Sequence, residues 1–335
     1  MASTVNSAFD TFMKDSIRLN SDRNIIAKKS KNNLLIEIEK FPSDGKFLDY
    51  YTDYMSIDYG SYSRKTKIRP LDDIDLMVVL HAQGNWREPI DDGYRIRVRP
   101  EASKQIALCN SGTDALNSIK VINKFKEYLS NISSYKKAEI KRNQEAVTLE
   151  LNSYEWVFDI VPCFETAPDY LGKTFFLIPD GKGNWKPTDP RIDKNRTNSI
   201  NGKQQISVLD MIRIMKFWTK RRTASTMGSY FLECLILQYY DSNTVNSSTY
   251  IHIELPNLFA YIYHQIHQTL NDPKGFQGDL NKLTWDERNS IQERAKLDYN
   301  RSIQAREYET KGKQKESIEK WGEIFGSEFP IYSAY

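Results

Sequence analysis

Apolar residues recur at helical spacing near the start of the chain, at Phe9, Phe12, Met13 and Ile17. Ile25, Ile26, Leu34, Leu35 and Ile38 continue the pattern across Lys-rich gaps. This predicts one or two helices over residues 4–41, each with one buried face. Residues 56–69, with Gly60-Ser61 near their start, read as loop and turn. The run DIDLMVVL, Asp73–Leu80, is short, apolar and partly β-branched, which predicts a central strand. Residues 95–99 alternate and suit a short strand or a loop, and residues 113–130 have a helical pattern. Residues 145–151 and 154–161 read as two strands joined by a hairpin at Asn152-Ser153. The Gly-, Pro- and Asp-rich stretch 179–201 reads as a long loop. Beyond it the pattern is helical almost throughout, over 208–221, 228–240, 255–270 and 285–311. No internal repeat or low-complexity tract occurs.

The order is helix, mixed α/β, then mostly helix. It predicts an α+β protein in which a sheet-bearing catalytic lobe with a mixed β-sheet packs on a helical lobe built from both chain ends. The expected divisions are N-terminal helices over 1–45, a catalytic lobe over 46–205 and a C-terminal helical lobe over 206–335. The length of 335 residues is ample for such an arrangement, and 39% apolar with 27% charged residues is ordinary for a globular protein. A net charge of +3 is small for a protein that grips duplex nucleic acid through its backbone. No run approaches the roughly 18 apolar residues of a membrane span, and the N-terminus lacks an apolar signal core. Cys109, Cys163 and Cys234 are widely spaced and form neither a disulfide framework nor a CxxC knuckle. A cytoplasmic protein is expected.

Three features carry the candidate chemistry. Gly60-Ser61 sits on a turn shortly before a strand, where glycine permits close approach and Ser61 with nearby amides can cradle a phosphate. Asp73 and Asp75 lie two residues apart at a strand start, so they share a face while Ile74 points to the core. Asp159 lies within the apolar run VFDIV, where a lone carboxylate is costly unless paired or bound to a cation. Three carboxylates beside a phosphate-cradling turn are expected to form a magnesium site, which can activate a hydroxyl and neutralise a pyrophosphate leaving group. Each feature alone has a bland reading: a common turn, a solvated strand entry, an exposed edge.

Together, GSYSRKTKIRPLDDIDLMVVL resembles the signature of polymerase-β-type nucleotidyltransferases, in which GS precedes a D-x-D by about a dozen residues. Within that superfamily the chain is most similar to the bacterial cGAS/DncV-like nucleotidyltransferases. QEAVTLELNSYEWVFDIVPCFE resembles the family hairpin that carries the third carboxylate, here Asp159. GNWKPTDPR is similar to the family's W-x-x-T-x-P loop, at Trp185, Thr188 and Pro190. VLDMIRIMKFWTK resembles the helix that supplies a lysine to the donor triphosphate, here Lys216. GSYFLECL resembles the next helix start, whose serine and aromatic map onto Ser229 and Tyr230. ESIEKWGEIFGSEFP is similar to a C-terminal element common in these enzymes. The resemblance covers about residues 10–330.

Physical readings of these positions stay open beside it. Lys216, in an otherwise apolar helix face, needs an anion or a snorkelling route to solvent. Ser229, after Gly228 at a helix start, suits phosphate oxygens or a plain N-cap. Tyr230 offers a ring for a base, or belongs to the core.

The resemblance implies a polymerase-β-like fold and joining of nucleoside triphosphates with loss of pyrophosphate, using Mg²⁺ or Mn²⁺. It further implies a cyclic di- or trinucleotide messenger, read by a separate effector in bacterial anti-phage signalling, and room for a regulatory protein partner. The alternative is transfer to RNA, a small molecule or a protein, or synthesis of linear oligonucleotides. The Cys/His zinc insertion with which animal cGAS grips DNA has no counterpart here, and His264 and His267 have no third ligand nearby in sequence. No duplex DNA activator is expected.

Overall fold

The computed structural model describes residues 2–221, 223–242 and 247–334. The chain divides into two compact units, each made of separate stretches. One comprises Met1–Asn20, Lys65–Pro70 and Ile192–Tyr335, and the other Ser21–Arg64 and Leu71–Arg191.

In chain order the helices are α1 (Val5–Phe12), α2 (Ser21–Glu39), α3 (Gly60–Ser63), α4 (Ser103–Ile106), α5 (Ser118–Ser130), α6 (Pro190–Lys203), α7 (Val208–Lys220), α8 (Ser229–Ser242), α9 (Ile251–Gln265), α10 (Trp285–Thr310) and α11 (Gln314–Phe325). The strands are β1 (Ser56–Asp58), β2 (Asp73–Leu80), β3 (Trp86–Ile90), β4 (Gly93–Arg97), β5 (Glu139–Asn143), β6 (Ala146–Glu150), β7 (Val157–Glu165), β8 (Phe176–Pro179) and β9 (Trp185–Thr188). The expected mixed α+β architecture is what the chain adopts.

The helical unit forms around aromatic edges. Thr4 caps α1 in a reciprocal pair with Ser7, and Val5, Ala8, Phe9 and Phe12 make the buried stripe. Phe9 meets Trp321 edge-on with ring centroids 5.0 Å apart, and Phe12 meets Phe217 likewise at 5.1 Å. The apolar faces of α7, α8, α9 and α10 join the same core, together with Ile68. The long helix α10 is mostly polar and buries a charge cluster. Asp298, fully buried, accepts from Trp218 Nε1 at 2.8 Å and from Arg301 at 3.0 Å, and also pairs with Arg294. Such a carboxylate is tolerable because these three partners all donate to it.

The sheet unit holds one mixed sheet in the order β1-β2-β7-β8-β9-β4-β3, with β5 and β6 joined through β7. Strands β2 and β7 run parallel over eight residues, and the other pairings are antiparallel. Along β2 the first residues alternate, with Asp73 and Asp75 half-buried and Ile74 and Leu76 buried, and Met77–Leu80 are then buried on both faces. The second edge of β7 pairs with β6 up to Ile160 and with β8 from Phe164. Pro162 falls in the gap between those pairings, where a residue without an N–H is least costly to a strand.

The stretch 179–201, expected to be a long loop, instead contains β9 and α6. Its Gly, Pro and Asp content signalled a loop, but Pro190 occupies the first helical position, where its missing N–H costs nothing. The buried stripe of α6 includes Asp193, Thr197 and Ile200, so polar side chains on the inner face hid the period. The region 56–69 also contains more order than a loop, namely β1 and α3. The helix expected from residue 113 begins at Ser118, capped by Asn117, and β3, β5 and β8 were not expected.

Replacing Phe12 by Ala is expected to cost about 3–5 kcal/mol, since it removes a fully buried ring from the aromatic cluster. Urea unfolding measures this, and a loss below about 1 kcal/mol would contradict the packing described.

Candidate active site

The parallel register of β2 and β7 sets Asp75 directly beside Asp159. On the far side of β7, the antiparallel register sets Thr148 beside Asp159. Cross-strand partners point to the same face, so Thr148, Asp159 and Asp75 form a row across three strands, with Asp73 two residues from Asp75 on that face. All four are half-buried. The Thr148 hydroxyl donates to Asp159 Oδ1 at 2.6 Å.

Gly60 closes against this row. Its φ of +72° is in the left-handed region, and a Cβ at this position would stand 1.7 Å from Asp75 Oδ2 and 2.4 Å from Cγ. Only a residue without a side chain lets the backbone lie on that carboxylate. Ser61 follows in the single turn of α3, half-buried. The sheet unit thus lays Gly60 against Asp75 and sets Asp73, Asp75 and Asp159 on one face.

The donor set is all oxygen and anionic, which suits a hard divalent cation. Its fit is one of face and register. Among the described residues, no three His, Cys, Asp or Glu side chains are gathered closely enough to hold one ion. The backbone register alone sets Asp73, Asp75 and Asp159 on one face.

On the same face farther along β7, Glu165 anchors a second polar cluster. It accepts from Tyr54, from Thr174 at 2.7 Å and from Arg191 at 2.8 Å. Burial raises the Glu165 carboxyl, but those three donors outweigh it and hold it below the usual range. Arg191 also pairs with Asp189 at 2.8 Å and lies over the Phe176 ring. The sequence reading marked Thr188 and Pro190 and passed over these neighbours, Asp189 and Arg191.

Lys216, Ser229 and Tyr230 lie in the helical unit. Lys216 is buried in α7, 4% exposed, and its ammonium donates to the Thr66 carbonyl at 3.1 Å and to Glu233 at 2.5 Å. The anion this lysine needed includes Glu233, four residues beyond Ser229 on α8. Ser229 is the exposed first residue of α8. Tyr230 is half-buried against the helical core, and its hydroxyl donates to Asp193 at 2.7 Å. The Lys274 ammonium lies 4.0 Å from its ring centroid and also reaches Asp193 and Asp272, each at 3.2 Å. Burial, reinforced by Cys234 and Asp193, raises the Tyr230 hydroxyl far above the usual tyrosine range.

A mixed sheet with carboxylates in register beneath a Gly-Ser turn suits the nucleotidyltransferase class. Similarity to known proteins narrows it. No family model matches the sequence. A Bacillus cereus (strain VD146) protein described as a probable cyclic nucleotide synthase is 43% identical over 334 residues, which span 99% of both chains. The structure of E. coli MS115-1 CdnC with ATP superposes with a TM-score of 0.69 at 15% identity, covering 97% of this chain and 98% of CdnC. CdnC in complex with HORMA-deltaN gives 0.67 at 16% identity over the same shares. Vibrio cholerae DncV, in its apo form, gives 0.58 at 13% identity, over 82% of this chain and 69% of DncV. At such identities the structural likeness speaks for the fold. The chain is a nucleotidyltransferase, and it belongs to the bacterial cGAS/DncV-like family. No helix among the described residues is long and apolar enough to cross a membrane.

Gly60→Ala is expected to leave the fold intact and lower kcat by about 100-fold, the scale of a roughly 1 Å misplacement of a catalytic group. Steady-state kinetics alongside circular dichroism would test it, and wild-type turnover would refute the close contact with Asp75.

Proposed function

We propose that this enzyme makes a cyclic di- or trinucleotide from nucleoside triphosphates. A hydroxyl of one nucleotide bonds to the α-phosphorus of another as the bond to the bridging oxygen breaks, releasing pyrophosphate and the hydroxyl proton. A second such step closes the ring. The observation that carries this reading is the row of Asp75 and Asp159, in register with Asp73 on their face, under Gly60-Ser61. The full-length likeness to a probable cyclic nucleotide synthase supports ring closure over other acceptors.

In this reading Asp73, Asp75 and Asp159 hold Mg²⁺ or Mn²⁺. The metal, when bound, supplies hydroxyl activation and charge neutralisation at the leaving group. Gly60 and Ser61 bring the backbone against the donor triphosphate. Lys216 and Ser229 contact its phosphates, Lys216 by exchanging its Glu233 partner for a phosphate oxygen. Tyr230 serves as a shelf for a base once Lys274 shifts from its ring. The product acts as a messenger for a separate effector in anti-phage defence. A regulatory protein partner is part of the proposal, supported by the likeness to CdnC in its HORMA complex.

The test is incubation of purified protein with the four labelled nucleoside triphosphates and Mg²⁺ or Mn²⁺, followed by phosphatase and mass spectrometry. A phosphatase-resistant product is expected from the wild type and none from Asp73→Ala/Asp75→Ala. A fully active double variant would overturn the site, and a label found on an added RNA or protein would replace the cyclic product with another acceptor.

A further inference from the structure

The row across the sheet contains one side chain that is not a carboxylate. Thr148 sits on β6 between Val147 and Leu149, both fully buried, so its backbone is fixed by the core. A β-branched side chain in a strand has few rotamers, so its hydroxyl is held almost as firmly as the strand. That hydroxyl lies on the side of Asp159 opposite Asp75, 2.6 Å from Oδ1. The arrangement answers a specific difficulty. Two carboxylates directly opposite on neighbouring strands repel, which favours turning Asp159 away from Asp75. With Oδ1 bonded to Thr148, the carboxylate cannot rotate about Cβ–Cγ without breaking that bond.

We propose that Thr148 is a positioning residue that fixes the plane and rotamer of Asp159, so that the carboxylate is preset to receive a divalent cation. The inference rests on the proposed role of Asp159 as a ligand. Groups that orient a ligating side chain typically contribute 10–100-fold to metal affinity or activity. Thr148 touches neither substrate nor metal in this account and acts only through Asp159.

The test uses full-length protein without nucleotide and reads Mn²⁺ binding by the electron paramagnetic resonance signal of the free ion. Thr148→Val keeps the shape and removes the hydroxyl. It is expected to weaken Mn²⁺ binding by about 10-fold or more with an unchanged urea midpoint. Thr148→Ser restores the donor and is expected to recover most of the affinity. Wild-type Mn²⁺ affinity in Thr148→Val overturns the proposal. So does a Thr148→Ser protein as weak as the valine variant, since that would assign the effect to side-chain packing. Asp159→Asn separates the two levels: unchanged Mn²⁺ binding there removes Asp159 from the metal site and the role of Thr148 with it. Weakened binding in Asp159→Asn with none in Thr148→Val removes only the tether.

Discussion

The parallel pairing of β2 with β7 is the constraint on which the carboxylate face depends. Side chains on a strand alternate between faces, so a slip of one residue would turn Asp159 away from Asp75. The aspartates cannot set that register themselves, because like charges brought side by side oppose it. The apolar halves of the two strands do so instead. Met77–Leu80 and Val161–Phe164 are buried on both faces and have one arrangement that keeps them there. The carboxylates are carried into place by the packing of residues farther along the same strands. Gly60 and Thr148 then act on a geometry already fixed, one lying against Asp75 and the other bonding to Asp159.

In the helical unit two buried lysine side chains have found internal partners. Lys216 pairs with Glu233, and Lys274 lies among Asp193, Asp272 and Tyr230, all within a largely apolar surround. Removing one member of a buried pair leaves the other charge without compensation, at about 3–5 kcal/mol. A lysine in such a position contributes to the fold in its own right. Substitution of Lys216 by Ala would therefore measure damage to the fold together with any effect on the proposed phosphate contact.

The parts of the molecule legible in the sequence were those where burial follows a single period. DIDLMVVL gave β2 to the residue, and the helices α7, α8 and α10 emerged close to their ends. The stripe of α6 escaped because Asp193 and Thr197 occupy inner positions where apolar residues signal a helix. The row across the sheet was legible only in part. A tight turn at Asn152-Ser153 would place Ala146 opposite Asp159. In the structure that turn is made, with the Tyr154 amide donating to the Leu151 carbonyl, but pairing starts at Glu150 and Val157. Trp156 is fully buried and stacks on Tyr154 at 4.7 Å, which takes these residues out of the ladder. The register moves accordingly and Thr148 arrives beside Asp159. The Glu233 partner of Lys216 lies 17 residues away on another helix, a relation that no local spacing reveals.

The path of the chain bears on how such a protein can be recombined. The sheet unit spans 21–191 apart from the six residues Lys65–Pro70, which belong to the helical unit. Any exchange of that span with a relative therefore transplants a hexapeptide into a foreign core. Within it the Thr66 carbonyl receives the Lys216 ammonium, and Ile68 is buried among the helices. A chimera that swaps the carboxylate faces will be compatible only where the recipient core accommodates Ile68 and places a donor against the backbone carbonyl at position 66, so the hexapeptide acts as a lineage check on shuffling between family members.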